Sequence, residues 1–210
     1  IPLCNIINIS FESGKFPDPL KIFKVIPIHK NGSTQEMNNY RPISLLSIFD
    51  KILEKIMHKR LYDFMEANNI LYHKQFGFRK NNSTTDALIK ITERIKESID
   101  KWKYGCGIFI DLRKAFDTVN HDILLLKMEH YGVRGSTLNW FKFYLSNRKQ
   151  YVFINGECSE LKQITCGVPQ GSVLGPLLFL IYINDLPNIS NKLDLYLFAD
   201  DTNLYYEDIS

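Results

Sequence analysis

Leu193-Asp194-Leu195-Tyr196-Leu197-Phe198-Ala199-Asp200-Asp201-Thr202-Asn203-Leu204-Tyr205-Tyr206 is the stretch on which the reading of this chain turns. An apolar run meets two adjacent acids, and a second mixed run follows at once. The pattern predicts strand, tight acidic turn, strand. Like charges side by side at a strand end repel, and a divalent cation is the usual reason to keep them together. Asp is also an ordinary turn residue, so the pair needs a partner elsewhere before it carries chemistry.

That partner lies upstream. Gly105-Cys106-Gly107-Ile108-Phe109-Ile110-Asp111 is a short apolar run ending in a carboxylate, which predicts a buried strand with an acid at its tip. If this strand neighbours the acidic hairpin, the tips lie roughly 5 Å apart. Carboxylates so placed would suit Mg²⁺ or Mn²⁺, which favour hard oxygen ligands. Two such ions about 4 Å apart can activate an attacking hydroxyl and stabilise a leaving pyrophosphate. Asp111 alone would equally serve as a capping or turn acid.

The rest of the chain reads as interleaved elements. Residues 1–20 look irregular, with Pro17 and Pro19. Lys21–His29 alternates as a strand, and Lys30-Asn31-Gly32-Ser33 is turn chemistry. Tyr40–Ser44 leads into a helix over about 47–68, with an inward stripe Ile48, Ile52, Ile56, Leu61 and Met65. Ser83 or Thr84 caps a helix running to about Lys101. Asn120 caps His121–Tyr131 with Gly132 following, and Ser136 caps a helix ending near Leu145. Gln150–Ile154, Asn155-Gly156 and Glu157–Thr165 form a hairpin. Gly167–Ser172 is a glycine-punctuated loop, and Pro176 opens a buried helix to Leu186. Hairpins among helices predict an α+β fold.

Composition bounds the class. With 210 residues, 45% hydrophobic and 23% charged, the chain is globular and can bury a sizeable core. Cys4, Cys106, Cys158 and Cys166 show no zinc spacing and no disulfide framework. The longest apolar run, Leu177–Ile183, is too short to cross a bilayer. Charge is uneven: residues 1–100 hold 15 Lys/Arg against 11 Asp/Glu, whereas residues 163–210 hold one Lys against six acids. This asymmetry would fit a polyanion held by one part and a cation by the other, or a chance placement of surface charge.

Five motifs in register resemble the reverse transcriptases, in wording closest to those of non-LTR (LINE-like) retrotransposons. Phe198-Ala199-Asp200-Asp201 resembles the family's aromatic-x-Asp-Asp box, and Ile110–Val119 resembles the motif with the first catalytic aspartate. Gly167–Pro176 resembles the nucleotide-pocket loop. Asn39–Leu46 and Gln75-Phe76-Gly77-Phe78-Arg79 are similar to fingers motifs. His130–Gly135 and Ile183–Pro187 point the same way.

The resemblance implies a right-hand polymerase: fingers with a lead-in over 1–104, and a palm over 105–210 that can interleave with the fingers. The palm is expected as an antiparallel sheet backed by helices, with the thumb absent. It implies copying of RNA into DNA, with the 3′-OH of a primer attacking a dNTP. Asp111, Asp200 and Asp201 would be the catalytic carboxylates and, with the Leu112 carbonyl, would hold two Mg²⁺ ions, for which Mn²⁺ could substitute. Phe116 would exclude a ribose 2′-OH. Gln170 and Gly171 would line the nucleotide pocket, and Lys30 and Arg41 would reach the triphosphate. Arg79 would touch template backbone, and Phe198 would pack beneath the primer end.

Implied partners are an RNA template, a DNA primer or nicked target DNA, and dNTPs, with no membrane. The implied location is a ribonucleoprotein of nucleus and cytoplasm. The chain alone, ending soon after the acidic turn, is expected to polymerise little. Three rival readings are a group II intron maturase, a viral RNA-copying enzyme, and a decayed or domesticated RNA-binding copy. Phe116 argues against copying into RNA.

Overall fold

The computed structural model describes residues 2–208. In chain order its elements are α1 (Pro2–Ser13), β1 (Ile22–His29), β2 (Tyr40–Leu45), α2 (Ile48–Ala67), α3 (Thr84–Asp100), β3 (Tyr104–Ile110), α4 (His121–His130), α5 (Gly135–Leu145), β4 (Lys149–Ile154), β5 (Glu157–Cys158), β6 (Lys162–Gln163), α6 (Gly175–Ile183), β7 (Asp194–Phe198) and β8 (Asp201–Asp208). No helix among the described residues is long and apolar enough to cross a membrane.

Two sheets organise these elements. The first runs β2-β1-β4-β5, with β6 also on β4; the second runs β3-β8-β7 and is antiparallel throughout. The α+β expectation holds. The first sheet draws strands from both sides of residue 104, because β1 pairs in parallel with β4 from Ile22↔Lys149 to Val25↔Val152. Residues 149–163 therefore belong with the amino-terminal strands.

Local signals set most element ends. Ser83 and Asp86 form a reciprocal capping box on α3, satisfying two otherwise orphaned N–H groups. The Asn120 side chain caps α4, and Gly132 follows that helix with φ +95°. Asn155 (φ 51°) and Gly156 (φ 90°) both take left-handed backbone, as a two-residue hairpin turn requires.

The main core is helical. Trp140 on α5 meets Phe11 and Phe16 edge-on at 5.7 and 5.3 Å and donates its Nε1–H to Ser10 Oγ at 3.0 Å. These contacts turn residues 2–13, expected to be irregular, into a helix. A short helix gains most of its stability from such packing rather than from its own sequence.

Three further expectations are corrected. Tyr40–Leu45 is a strand and not a helix approach, and Pro42 is tolerated because β2 is an edge strand. The buried face of α2 is Asp50, Leu53, Glu54, Met57, Leu61, Tyr62 and Met65. Of the expected stripe, Leu61 and Met65 lie on this face, Ile52 and Ile56 pack half-buried against the core, and Ile48 is exposed. Counting apolar residues alone passes over the two buried acids. Finally, β3 forms but is exposed along its whole length, with Phe109 77% accessible, because it is the edge of its sheet.

Candidate active site at the acidic turn

The β7–β8 hairpin closes at Phe198↔Asp201, with Ala199 and Asp200 in the turn. β3 pairs with β8 up to Ile110↔Thr202. Asp111 therefore follows β3 directly at the end of the sheet where Asp200 and Asp201 lie. Strand pairing thus places the ends of both motifs side by side, as the paired-strand reading expected. Asp200 is half-buried, while Asp111 and Asp201 are exposed. Among the described residues these three carboxylates have no hydrogen-bond or ion-pair partner, whereas other acids nearby do. Their side chains do not converge, and no group of three or more His, Cys, Asp or Glu poised to hold a metal occurs among the described residues.

The charge asymmetry of the sequence has a partly structural cause. Asp194 pairs with Lys74 (2.5 Å) and Arg94 (2.7 Å), and Glu207 pairs with Arg94 (2.9 Å) and Lys103 (2.8 Å). Lys103 and Ser98, hydrogen-bonding Glu207, pull its carboxyl down to about 2. These contacts fasten α3 to the acidic hairpin. Asp185 likewise pairs with Lys127. Much of the carboxy-terminal acidity is thus paired within the protein, whereas the carboxylates of Asp200 and Asp201 have no such partner among the described residues.

The turn itself is braced from behind by Gln75, a role sequence reasoning missed. Ala199 has φ +56°, a left-handed conformation uncommon for a residue with a Cβ. Gln75, 3% exposed, accepts from Ala199 N at 3.0 Å and from Gly77 N at 2.9 Å, and donates Nε2 to the Ala199 carbonyl at 3.4 Å. Phe76 N donates to the Leu197 carbonyl at 2.8 Å, and Leu197 N to the Lys74 carbonyl at 2.9 Å. Gly77 lies so close that a Cβ there would sit 2.1 Å from Ala199 N. Residues 74–77 therefore form a short splint on the turn. The available signal was a glutamine two residues before a glycine inside an aromatic motif.

The pocket loop is tied to the Asp111 motif. Gly167 N donates to the Val119 carbonyl at 2.7 Å and Val168 N to the Phe116 carbonyl at 2.8 Å. Gly167 (φ +86°) packs flush on the Asp117 backbone, leaving no room for a Cβ. Gln170 donates Nε2 to Asp117 Oδ1 at 2.9 Å, and its carbonyl accepts from Ser44 N on β2 at 2.7 Å. Phe116 stacks on Phe179 of α6 at 4.9 Å and meets Phe78 edge-on at 6.1 Å, and stays half-buried. Gly171 is exposed beside Ser44. One neighbourhood thus gathers Phe116, Gln170 and Gly171.

The other expected residues fall around it. Lys30 and Arg41 are exposed on the β1–β2 hairpin, Arg41 pairing with Ile28 and Lys30 N bonding the Asn39 carbonyl. The exposed Leu112 follows Asp111. Phe198 is half-buried against a small cluster of Phe76, Ala87, Tyr196 and Tyr205. Arg79, read from the sequence toward template backbone, instead grips Glu66 with Nε (3.0 Å) and Nη2 (2.7 Å) and the Tyr72 carbonyl with Nη1 (3.0 Å). In this arrangement its guanidinium ties the 72–79 segment to α2.

The family model for reverse transcriptase (RNA-dependent DNA polymerase) matches residues 28–210. The chain belongs to the reverse transcriptase family. Among relatives, a probable RNA-directed DNA polymerase from transposon BS of Drosophila melanogaster is 38% identical, over 97% of this chain and 23% of its own length. The polymerase of the mobile element jockey from the same fly is 36% identical over 88% of this chain and 20% of its own length. A putative COX1/OXI3 intron 2 protein of Saccharomyces cerevisiae is 29% identical over 91% of this chain and 20% of its own. This reverse transcriptase chain thus spans less than a quarter of these relatives. A solved telomerase from Candida tropicalis shares the fold, with TM-score 0.64 at 12% identity, covering 98% of this chain and 43% of that one. The residues that match the family model include β2 through the hairpin that carries Asp200 and Asp201.

Proposed function

We propose that this reverse transcriptase chain is the fingers and palm of a LINE-like transposable element's RNA-directed DNA polymerase. Its reaction joins a primer 3′-OH to the α-phosphate of a dNTP, with pyrophosphate leaving. The observation that carries the reading is the set of carboxylates Asp111, Asp200 and Asp201 at adjacent strand ends, without partners among the described residues, with Phe116 five residues after Asp111 and Gln170 bonded to Asp117. Relatives described as polymerases of transposon BS and jockey support it.

Hard, unpaired carboxylate oxygens suit Mg²⁺ in their chemistry, although the side chains as they lie are not gathered into a three-ligand set. Asp111, Asp200 and Asp201, with the Leu112 carbonyl, would hold two such ions, with Mn²⁺ a substitute. Bound there, divalent cations supply charge that favours the attacking and leaving oxygens. The protein's own contribution is placement. Phe116 holds its ring where a 2′-OH would collide, Gln170 and Gly171 border the base and sugar, and Lys30 and Arg41 offer charge to the triphosphate. Phe198 supports the primer end. The template is RNA, the primer DNA or nicked target DNA, and the setting a ribonucleoprotein of cytoplasm and nucleus.

The relative described as a putative COX1/OXI3 intron 2 protein of Saccharomyces cerevisiae keeps a maturase-like reading as the second candidate. Primer extension by the full-length protein tests both, with dNTP against NTP and RNA against DNA template. Incorporation of dNTP on RNA from a DNA primer is expected. Activity confined to a host intron RNA would favour the second reading, and none at all would refute both.

A further inference from the structure

Behind the pocket loop lies a buried ionic cluster that the reaction does not use. Asp50 and Glu54 of α2 are 0% exposed, and Arg148, just before β4, is 1% exposed. Arg148 Nη2 pairs with Asp50 Oδ2 at 3.3 Å, Nη1 donates to the Tyr144 carbonyl at 3.3 Å, and the guanidinium lies 4.5 Å from the Tyr144 ring centroid. Among the described residues, Asp50 Oδ1 and Arg148 Nε have no hydrogen-bond partner. Burying such charges is weak support for stability, since apolar side chains of similar size often do as well. Glu54 has a more specific pair of partners. It accepts from the Tyr144 hydroxyl through Oε1 and from the backbone N–H of Val173 through Oε2, the latter at 2.6 Å.

Val173 lies three residues beyond Gln170 in the loop 167–176. On the far side of that loop, Ser44 N holds the Gln170 carbonyl, and Gly171 leaves room for the Ser44 carbonyl. Ser44 and Glu54 belong to the same β2–α2 segment, which also carries Arg41. The loop is therefore held at two points by the segment that presents a triphosphate-facing cation.

We infer that Glu54 is a positioning residue that sets the pocket loop, and with it Gln170, in register with Arg41. The inference rests on the polymerase reading for its consequence and on the Glu54–Val173 bond for its geometry. Withdrawing that bond loosens the nucleotide's seat without touching the reacting atoms, so nucleotide KM rises while kcat is largely kept.

The test is steady-state dNTP incorporation by the full-length protein bearing Glu54→Met or Glu54→Gln, with thermal melting as the measure of folding. Met keeps the length and removes both acceptors. Gln keeps an oxygen for Val173 N–H and can turn its amide N–H toward the Tyr144 oxygen. Glu54→Met is expected to raise the dNTP KM about tenfold, as for loss of a charged hydrogen bond, with kcat within about twofold, and Glu54→Gln to restore it. An unchanged KM in a folded Glu54→Met protein, or a loss that only follows the folded fraction, overturns the inference. Should Glu54→Met fail to fold, Tyr144→Phe withdraws one donor alone. A KM rise of about threefold supports the inference, and no rise overturns it. Hydrogen exchange of the Val173 amide gives a readout independent of activity. Exchange should speed up in Glu54→Met and return in Glu54→Gln, whereas equal rates refute the positioning role. A wild-type protein that incorporates no dNTP sinks the polymerase reading, and this exchange result still stands or falls separately.

Discussion

Gln75 holds Ala199 in a left-handed conformation by bonding both its N–H, at 3.0 Å, and its carbonyl, at 3.4 Å. The residue after Ala199 is Asp200. A splint thus pins the backbone from which a proposed catalytic carboxylate projects. Replacing Gln75 by Leu leaves the N–H groups of Ala199 and Gly77 buried and unpaired, at about 1–3 kcal/mol each. Gln75→Leu should lower the denaturation midpoint and reduce turnover beyond the loss of folded protein. Ala199→Gly, which eases the left-handed backbone, should leave stability equal or slightly higher.

Gly77→Ala should be among the most damaging single-atom additions in the chain. Its Cβ would meet backbone, Ala199 N at 2.1 Å, which cannot swing aside as a flexible side chain could. A loss of about 3 kcal/mol is expected, the upper end for overpacking, because the contact is with backbone and the hairpin must shift. Urea unfolding of the two proteins checks this, and equal midpoints would contradict the splint geometry.

Asp200→Asn should leave melting almost unchanged, since this carboxylate has no partner to lose among the described residues. It should also lower incorporation by at least about a thousandfold, if charge at this position serves the transition state. Chelation by EDTA should abolish the wild-type reaction, and Mg²⁺ or Mn²⁺ should restore it. Near-normal turnover by Asp200→Asn would remove the turn from the active site.

Phe116→Val should admit ribonucleotides. The ring is backed by Phe179 at 4.9 Å and therefore cannot retreat from a larger sugar. The ratio of dNTP to NTP incorporation should fall by about tenfold or more. An unchanged ratio would assign Phe116 to packing alone.

The contribution of Asp50 to stability should fall as pH rises toward neutrality. Burial, reinforced by neighbouring Glu54 and opposed by Arg148, pushes the Asp50 carboxyl up to about 7 from an ordinary 3.8. Because the folded-state value is the higher one, the contribution of Asp50 is complete below about pH 4 and is lost as pH rises through 7. The loss is on the order of 2–4 kcal/mol. Asp50→Asn, which mimics the protonated form, should melt with a flatter pH dependence between 4 and 7.5. A parallel pH profile would show that Asp50 is already ionised throughout.

Much of the candidate site is legible in the sequence alone. The apolar runs ending at Asp111 and Asp200-Asp201 predict the strands, and the register Ile110↔Thr202 makes them neighbours. Asn155-Gly156, Ser83 with Asp86, and Asn120 each act within a few residues, so their turn and caps follow from local chemistry. α1 and β2 are not legible in this way. The first needs Trp140, far along the chain, to dock it; the second needs β1 and β4 to complete a sheet at whose edge Pro42 is harmless.

The sequence by itself determined the chemistry available. Carboxylates fall at strand ends, an aromatic lies five residues after Asp111, and Asn155-Gly156 supplies a hairpin turn. These are short-range facts, set by side-chain type, alternation and turn preference. Only the tertiary structure decided which of these groups are engaged. Arg79 is held by Glu66, Asp194 and Glu207 are tied to α3, and Gln75 and Glu54 stand behind the turn and the pocket loop. Such assignments join residues up to 124 positions apart. Whether a polar group is paired depends on what folding brings within about 3 Å of it, and no local pattern encodes that distance.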